Sequence, residues 1–526
     1  MSPPLSLLLP VAPLAMALVG AVPARLADRA PARMSRAALG AALVALAASV
    51  LGAAGLVADG RLATGTLGVG GVGLAIYADA LTGSIAVLVA FVGAVVVAYS
   101  RGYLDGDPGQ GRFLARLCLT LAAVEALVLS GNLLQFLAAW IATSLFLHRL
   151  LLFYPDRPGA QLAARKKFVA SRIGELCLAG AALLVWRQYG SLDFATIFAQ
   201  AHRHAGAGGD AIALLLAATA LLKSAQFPFH VWLPEVMETP TPVSALLHAG
   251  IINAGGFLVL RLAPLVSPST PALDLMAMVG GATALFGSVV MLTQTSVKVS
   301  LAWSTVAQMG FMLLECGLGA FSAALLHLLA HSLYKAHAFL ASGSVVDRAR
   351  AAGAPAPGTP PHPAILGSAL LLGVVITVAV AACFGESLLQ SPGVFALGAV
   401  MMMGLAQLLS AALGAHPGWP AAARGLGVAV LVAVAYFALQ RGAAWLCAGA
   451  VPAPQPLRGP FDFAVAALVV LSLGAVMLLQ SLLPARAGSR RWQAAYVHLL
   501  NGLYLGRLAD RILLHLWPLP ASGARI

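Results

Sequence analysis

Fifteen apolar stretches take up most of this chain and leave little room for anything else. They fall at 5–22, 37–58, 73–98, 113–129, 132–153, 173–189, 210–240, 243–263, 274–293, 298–318, 322–345, 364–383, 393–413, 424–447 and 461–483. About 20 apolar residues carry a helix across the hydrocarbon core of a bilayer. Backbone polar groups find no water there, so each spanning segment must satisfy its own hydrogen bonds. The chain is expected to be all-α, a polytopic membrane protein of about 15 transmembrane helices. Only 9% of its residues are charged, against about 25% in soluble domains. That excludes a large soluble enzyme, and the high apolar content excludes a disordered chain.

The charges that remain carry information. Lys and Arg number 31 against 18 Asp and Glu, a net charge of +13. In a soluble protein such an excess would suggest nucleic acid; in a polytopic chain it marks basic cytoplasmic loops, so no nucleic-acid partner is expected. Placing the N-terminus outside and alternating puts the Arg and Lys of 25–36, 101–116, 157–172, 348–350, 424 and 486–491 on the cytoplasmic side. Arg61, Arg187, Arg203, Arg261, Arg441 and Arg458 fall outside. The first stretch lacks a basic leader and its Arg residues come after it, so it reads as an uncleaved helix rather than a signal peptide.

The five cysteines are widely separated, with no CxxC or Cys/His ligand spacing, so the usual iron–sulfur and zinc patterns are missing. No GxxxxGK[ST] phosphate loop occurs. No cofactor is expected in this chain. Residues 351–363 form a Pro-rich linker. Over 491–517, Trp492, Tyr496, Leu499, Leu500, Leu503 and Leu508 recur at helical spacing beside Arg507, Asp510 and Arg511, which predicts an amphipathic helix on the membrane or on a partner.

An ionisable group in hydrocarbon costs roughly 2.5–3.5 kcal/mol on insertion scales, and usually faces a bundle interior or a wet cavity. Glu125, Glu175, Lys223, His248, Lys298, His327, His331 and Lys335 all lie within or at the edge of apolar runs. They are either structural ion pairs or parts of an ion path. His327, His331 and Lys335, spaced i, i+4, i+8, stack on one helix face. A proton relay needs such a column, because each hop must be short and histidine titrates near neutrality. His337 points elsewhere and reads as packing.

Lys223 is followed by a stretch holding Pro228, Pro234, Pro240 and Pro242, which cannot share one unbroken helix. A break at membrane depth is tolerated where protein buries it or where it lines a cavity, and a broken helix beside a charge marks an ion path in many transporters. Glu235 and Glu238 near the break read as solvated. Glu175 follows what reads as a basic loop and is a natural acidic partner for a Lys. His248, on the next run, either links Lys223 onward or is a structural group.

KSAQFPFHVWLPEVMETPTPVSALLHAG at 223–250, TQTSVKVSLAWSTVAQMGFM at 293–312, HLLAHSLYKAHAFLASGSV at 327–345 and SRIGELCLAGA at 171–181 closely resemble the antiporter-like membrane subunits of respiratory complex I and of multisubunit cation/proton antiporters. The resemblance implies two inverted five-helix repeats with discontinuous helices. It also implies a proton path through Glu175, Lys223, His248, Lys298, His327, His331 and Lys335. The expected organisation is N-terminal helices over 1–112, a first repeat over 113–263 and a partly degenerate second repeat over 274–413. C-terminal helices follow over 424–483, and an amphipathic tail over 490–526.

Two departures matter. The family's Trp-Glu pair on the fifth span is Trp140-Ile141 here, so that carboxylate is missing. Between 364 and 415 the only charge is Glu386, where the second repeat normally carries a Lys on its broken helix. WIATSLFLHRLLLFYPDRP, RKKFVASRIGELCLAGA and LLHAGIINAGGFLVLRLAPL instead resemble the small membrane subunit of the DAB inorganic-carbon accumulation complex.

What this implies is a proton- or sodium-conducting subunit in a bacterial inner membrane, with a cytoplasmic C-terminal tail. Its partner would be a large soluble zinc-binding subunit, similar to carbonic anhydrases, on the cytoplasmic face. The zinc, and any hydration of CO2, would belong to that partner, while this chain has no catalytic site of its own. His148 and Arg149 either couple to the partner or snorkel. The alternatives are a cation/proton antiporter or complex I subunit with no link to carbon, and a scaffold whose charges are inert.

Overall fold

A computed structural model describes residues 4–69, 72–201, 209–352, 363–386, 392–415, 419–453, 459–486 and 489–518. The N-terminal helices are α1 Val11–Gly20, α2 Ala24–Arg29, α3 Pro31–Asp59, α4 Ala80–Tyr103, α5 Gln110–Val128 and α6 Leu133–Leu151. The middle of the chain forms α7 Pro158–Tyr189, α8 Phe194–Ala201, α9 Gly209–Lys223, α10 Trp232–Glu235, α11 Thr241–Ala249, α12 Ala254–Arg261 and α13 Ala263–Val266. Then come α14 Thr270–Met291, α15 Val297–Gly317, α16 Phe321–Ala352, α17 Pro363–Cys383, α18 Pro392–Ala415, α19 Trp419–Leu446 and α20 Pro460–Arg486. The tail holds α21 Arg490–Leu500 and α22 Leu505–Leu516.

The protein is a polytopic helical membrane protein. Helix occupies every one of the fifteen apolar runs, and ten helices among the described residues are long and apolar enough to cross a membrane. Small residues set the closest approaches. A Cβ on Gly280 of α14 would lie 2.6 Å from the Gly310 carbonyl oxygen of α15, the backbone-to-backbone contact that small residues permit between helices in lipid.

The structure departs from the sequence reading in five places. The run at 73–98 does not start as helix. Strands β1 Leu62–Ala63, β2 Leu67–Val69, β3 Val72–Leu74 and β4 Tyr77–Ala78 form two small antiparallel ribbons before α4, since the glycines of TLGVGGVG weaken helix. The basic stretch at 157–172 is not a loop. With Pro158 at its first turn, where a missing N–H costs nothing, α7 already contains Arg165, Lys166, Lys167 and Arg172, and both lysines are buried.

Arg261 is likewise not a solvated loop charge; it is 2% exposed. The amphipathic tail is two helices rather than one, parted where Leu503 and Tyr504 take positive φ. Glu235, read as solvated, is bound to Lys166 at 2.6 Å. Of the Pro-rich linker, 353–362 lie outside the described residues.

Candidate proton path

The break after Lys223 is held open by side chains. Helix α9 ends at Lys223, and residues 224–231 carry no helix, with Pro228 among them. Pro234 lies in the four-residue α10, and Pro240 caps α11. The freed polar groups find partners: Phe227 N donates to Thr283 Oγ1 at 3.1 Å, and Ser224 Oγ to the Ile252 carbonyl at 3.1 Å. A second interruption separates α11 from α12, where 251–253 wind as a 3-10 turn.

One polar group surrounds the first break. The Lys223 ammonium lies 4.7 Å over the Trp140 ring, itself 2% exposed, a cation–π contact. Glu175 accepts from Arg172 Nη2 at 2.6 Å, three residues along α7. Lys167 donates to the carbonyl and to Oγ of Ser144, each at 2.8 Å. Lys223 is within electrostatic reach of Glu175 and Arg172, and Lys167 within that of Lys223 and Glu175. One carboxylate is therefore shared among three cations, and its direct hydrogen bond goes to Arg172 rather than Lys223. A void of about 10 Å³ touches Lys167, Lys223, Trp232, Leu247 and Ile251, roughly the room one water needs.

The other group runs along α16. Lys298 Nζ donates to Thr241 Oγ1 at 2.8 Å. Lys335 donates to the Leu301 carbonyl at 3.1 Å. His331 Nε2 donates to the His248 carbonyl at 3.2 Å, and its ring centroid lies 6.1 Å from that of His327. His327 Nδ1 donates to both oxygens of Glu315, at 3.1 and 3.2 Å. The His248 ring stacks on Phe339 at 4.4 Å, and neither of its nitrogens has a hydrogen-bond partner among the described residues. A cavity of about 430 Å³ opens against Glu315 and His327 and is lined further by Gln308, Tyr436 and Gln440.

The structure thus gathers Glu175 with Lys223, and His248, His327, His331 and Lys335 with one another, while Lys298 is bound to Thr241. His337 is exposed. Glu125 is buried on α5, and neither of its oxygens has a partner among the described residues. His148 packs on Phe168 at 5.7 Å.

Sequence reasoning missed Glu315, although a carboxylate inside the run at 298–318 was a visible signal. It also missed Lys167 and Arg172, counted as loop charges, although Lys167 and Glu175 share a helix face at i, i+8. The pair Asp79–Arg261 was missed too; it is bidentate at 2.8 and 2.9 Å, with Thr82 as a further acceptor for Arg261.

Residues 130–353 match the family NADH:quinone oxidoreductase/Mrp antiporter, TM, and residues 67–114 match NADH-Ubiquinone oxidoreductase (complex I), chain 5 N-terminus. The chain is 42% identical over 448 residues to the "Probable inorganic carbon transporter subunit DabB2" of Halothiobacillus neapolitanus, covering 85% of this chain and 81% of that one. It is 49% identical over 263 residues to the "Probable inorganic carbon transporter subunit DabB" of Hydrogenovibrio crunogenus, about half of each chain (49% and 51%). Among solved structures, the Mrp complex from Dietzia sp. aligns with TM-score 0.63 at 25% identity, over 98% of this chain and 61% of that one.

Proposed function

Because this chain belongs to the DabB family of inorganic carbon transporter subunits, built on the membrane fold shared with complex I and Mrp antiporter subunits, we propose that it conducts protons or sodium ions inward to drive carbon uptake. The driven reaction is hydration of CO2 to bicarbonate by a large soluble zinc-binding partner, similar to carbonic anhydrases, on the cytoplasmic face of a bacterial inner membrane. Relatives of this chain are subunits of multisubunit complexes, which supports a stable partner.

The observation that carries the reading is the column on α16 that runs from Lys335 and His331, both buried, to His327, whose ring lies 6.1 Å from that of His331. Buried titratable groups a few ångströms apart, ending at a cavity, suit proton transfer better than inert packing, since each costs desolvation. Lys223 acts as the central switch, Glu175 with Arg172 as its modulator, His248 as bridge, and Lys298 as the end of the relay on the Thr241 side.

A second reading, a cation/proton antiporter subunit, is favoured by the likeness to the Mrp complex. Purification of the tagged chain from its host membrane separates the two. The first expects a large zinc-containing subunit at fixed stoichiometry and rescue of a carbonic-anhydrase-deficient bacterium in air by the pair together. Antiporter or quinone-oxidoreductase subunits in the complex, with no zinc, would refute it.

A further inference from the structure

We propose that protons pass between the α16 column and the far face of the bundle through Glu315 and the cavity beside it, past Tyr436 toward Glu386. The inference rests on the proton-conducting reading above. The second repeat lacks the lysine on a broken helix that the family carries: α18 is one unbroken helix and Glu386 is the only charge from 364 to 415. The column must therefore end elsewhere.

It ends at Glu315. Its carboxylate is 2% exposed, holds His327 by both oxygens, and borders a cavity large enough for a chain of waters. Counting 17 residues along α15 from Lys298 to Glu315, at about 1.5 Å each, the two lie roughly 26 Å apart. That is most of the ~30 Å hydrocarbon core. Tyr436, on the cavity wall, is within electrostatic reach of both Glu315 and Glu386. Gln440 Oε1, on the same wall, is buried with no partner among the described residues.

The step balances. A protonated His327 gives its Nδ1 proton to the Glu315 carboxylate, breaking N–H and forming O–H, and both groups become neutral. Glu315 then releases the proton to water in the cavity and recovers its charge. His327 is left with its hydrogen on Nε2, which no partner among the described residues holds, and with a bare Nδ1. The ring turns about its Cβ–Cγ bond, Nδ1 takes the next proton from the His331 side, and the ring turns back to Glu315; flux in the other direction runs through the same steps reversed.

The test is proton flux in liposomes holding the full-length chain, driven by a potassium diffusion potential and read by an internal pH dye. Glu315→Gln keeps an acceptor for His327 but cannot carry the proton, and flux should fall at least tenfold, with Glu315→Asp retaining a measurable part. An infrared carboxylic C=O band that appears under the gradient should vanish in Glu315→Gln. Gln440→Leu, which dries the cavity without touching the ion pair, should slow flux several-fold. Wild-type flux in Glu315→Gln, or in Gln440→Leu should the first variant not fold, overturns this exit. Flux that survives in these variants but is lost in Lys223→Ala overturns the exit alone. A wild-type chain that carries no protons overturns the conducting reading as well.

Discussion

The ammonium of Lys223 rests over the indole of Trp140 at 4.7 Å, and the residue after Trp140 is Ile141, so no carboxylate from α6 reaches it. Among the described residues, the charge of Lys223 is met by an aromatic face and, at a distance, by Glu175, which Arg172 already holds. Lys223→Ala should abolish carbon uptake while leaving the complex assembled, because no hydrogen bond among the described residues depends on its ammonium. Growth in air and size-exclusion profiles of the purified complex check the two halves. Full uptake in the variant would remove Lys223 from the path.

Glu175 offsets Arg172 directly and Lys167 and Lys223 at a distance. Breaking a buried ion pair by removing one partner typically costs about 3–5 kcal/mol, and Arg172 is partly exposed, so Glu175→Gln should lie at or below the lower end. Thermal unfolding in detergent should register that loss. Flux should drop with it, since three cations are then left without their common anion.

Asp79 caps α4 by accepting from Thr82 N at 3.0 Å and pairs with Arg261. Burial alone would raise its pKa; the Arg261 charge and the donors from Arg261 and Thr82 outweigh burial and hold the carboxyl below its ordinary value. A depressed carboxyl stabilises fully above its unfolded pKa, about 3.9, and this is lost as pH falls through the lower folded value. Asp79→Asn should therefore destabilise at neutral pH by about 3 kcal/mol. The gap from wild type should close in the acid range below about pH 4. Unfolding scans of both chains at pH 7 and at low pH decide it.

Lys166 anchors the tail: its Nζ lies 2.6 Å from Glu235 and 2.7 Å from Asp510, and Arg165 covers the Trp517 ring at 4.6 Å. Replacing Lys166 with Met leaves two carboxylates facing each other without a cation. Hydrogen exchange over 505–516 should speed up markedly while that of α14 and α15 stays as in wild type. Unchanged protection would show that the apolar contacts of the tail hold it alone.

Several features could be read in advance because they depend on local chemistry. Apolar runs of span length must be helices in lipid. The prolines after Lys223 must break one. Histidines and lysine at i, i+4, i+8 must share a face. The ribbons before α4 were obscured because β4 and most of β3 open the apolar run at 73–98, and a few residues are too short a stretch to separate strand from helix by period. Lys166, Lys167 and Arg172 read as loop charges because a charged helical turn and a charged loop share one composition.

By itself, then, the sequence determined a bundle of membrane helices, one broken beside Lys223, with a column of titratable groups on α16, since length, period and proline geometry act within one segment. Tertiary structure alone decided which charges meet. Glu175 turns to Arg172, Glu315 to His327, Asp79 to Arg261 across 182 positions and Lys166 to Asp510. The reason is physical: a buried charge takes whichever opposite charge the packing brings within about 4 Å, because desolvation makes an unpaired one costly, and spacing along the chain does not encode that proximity.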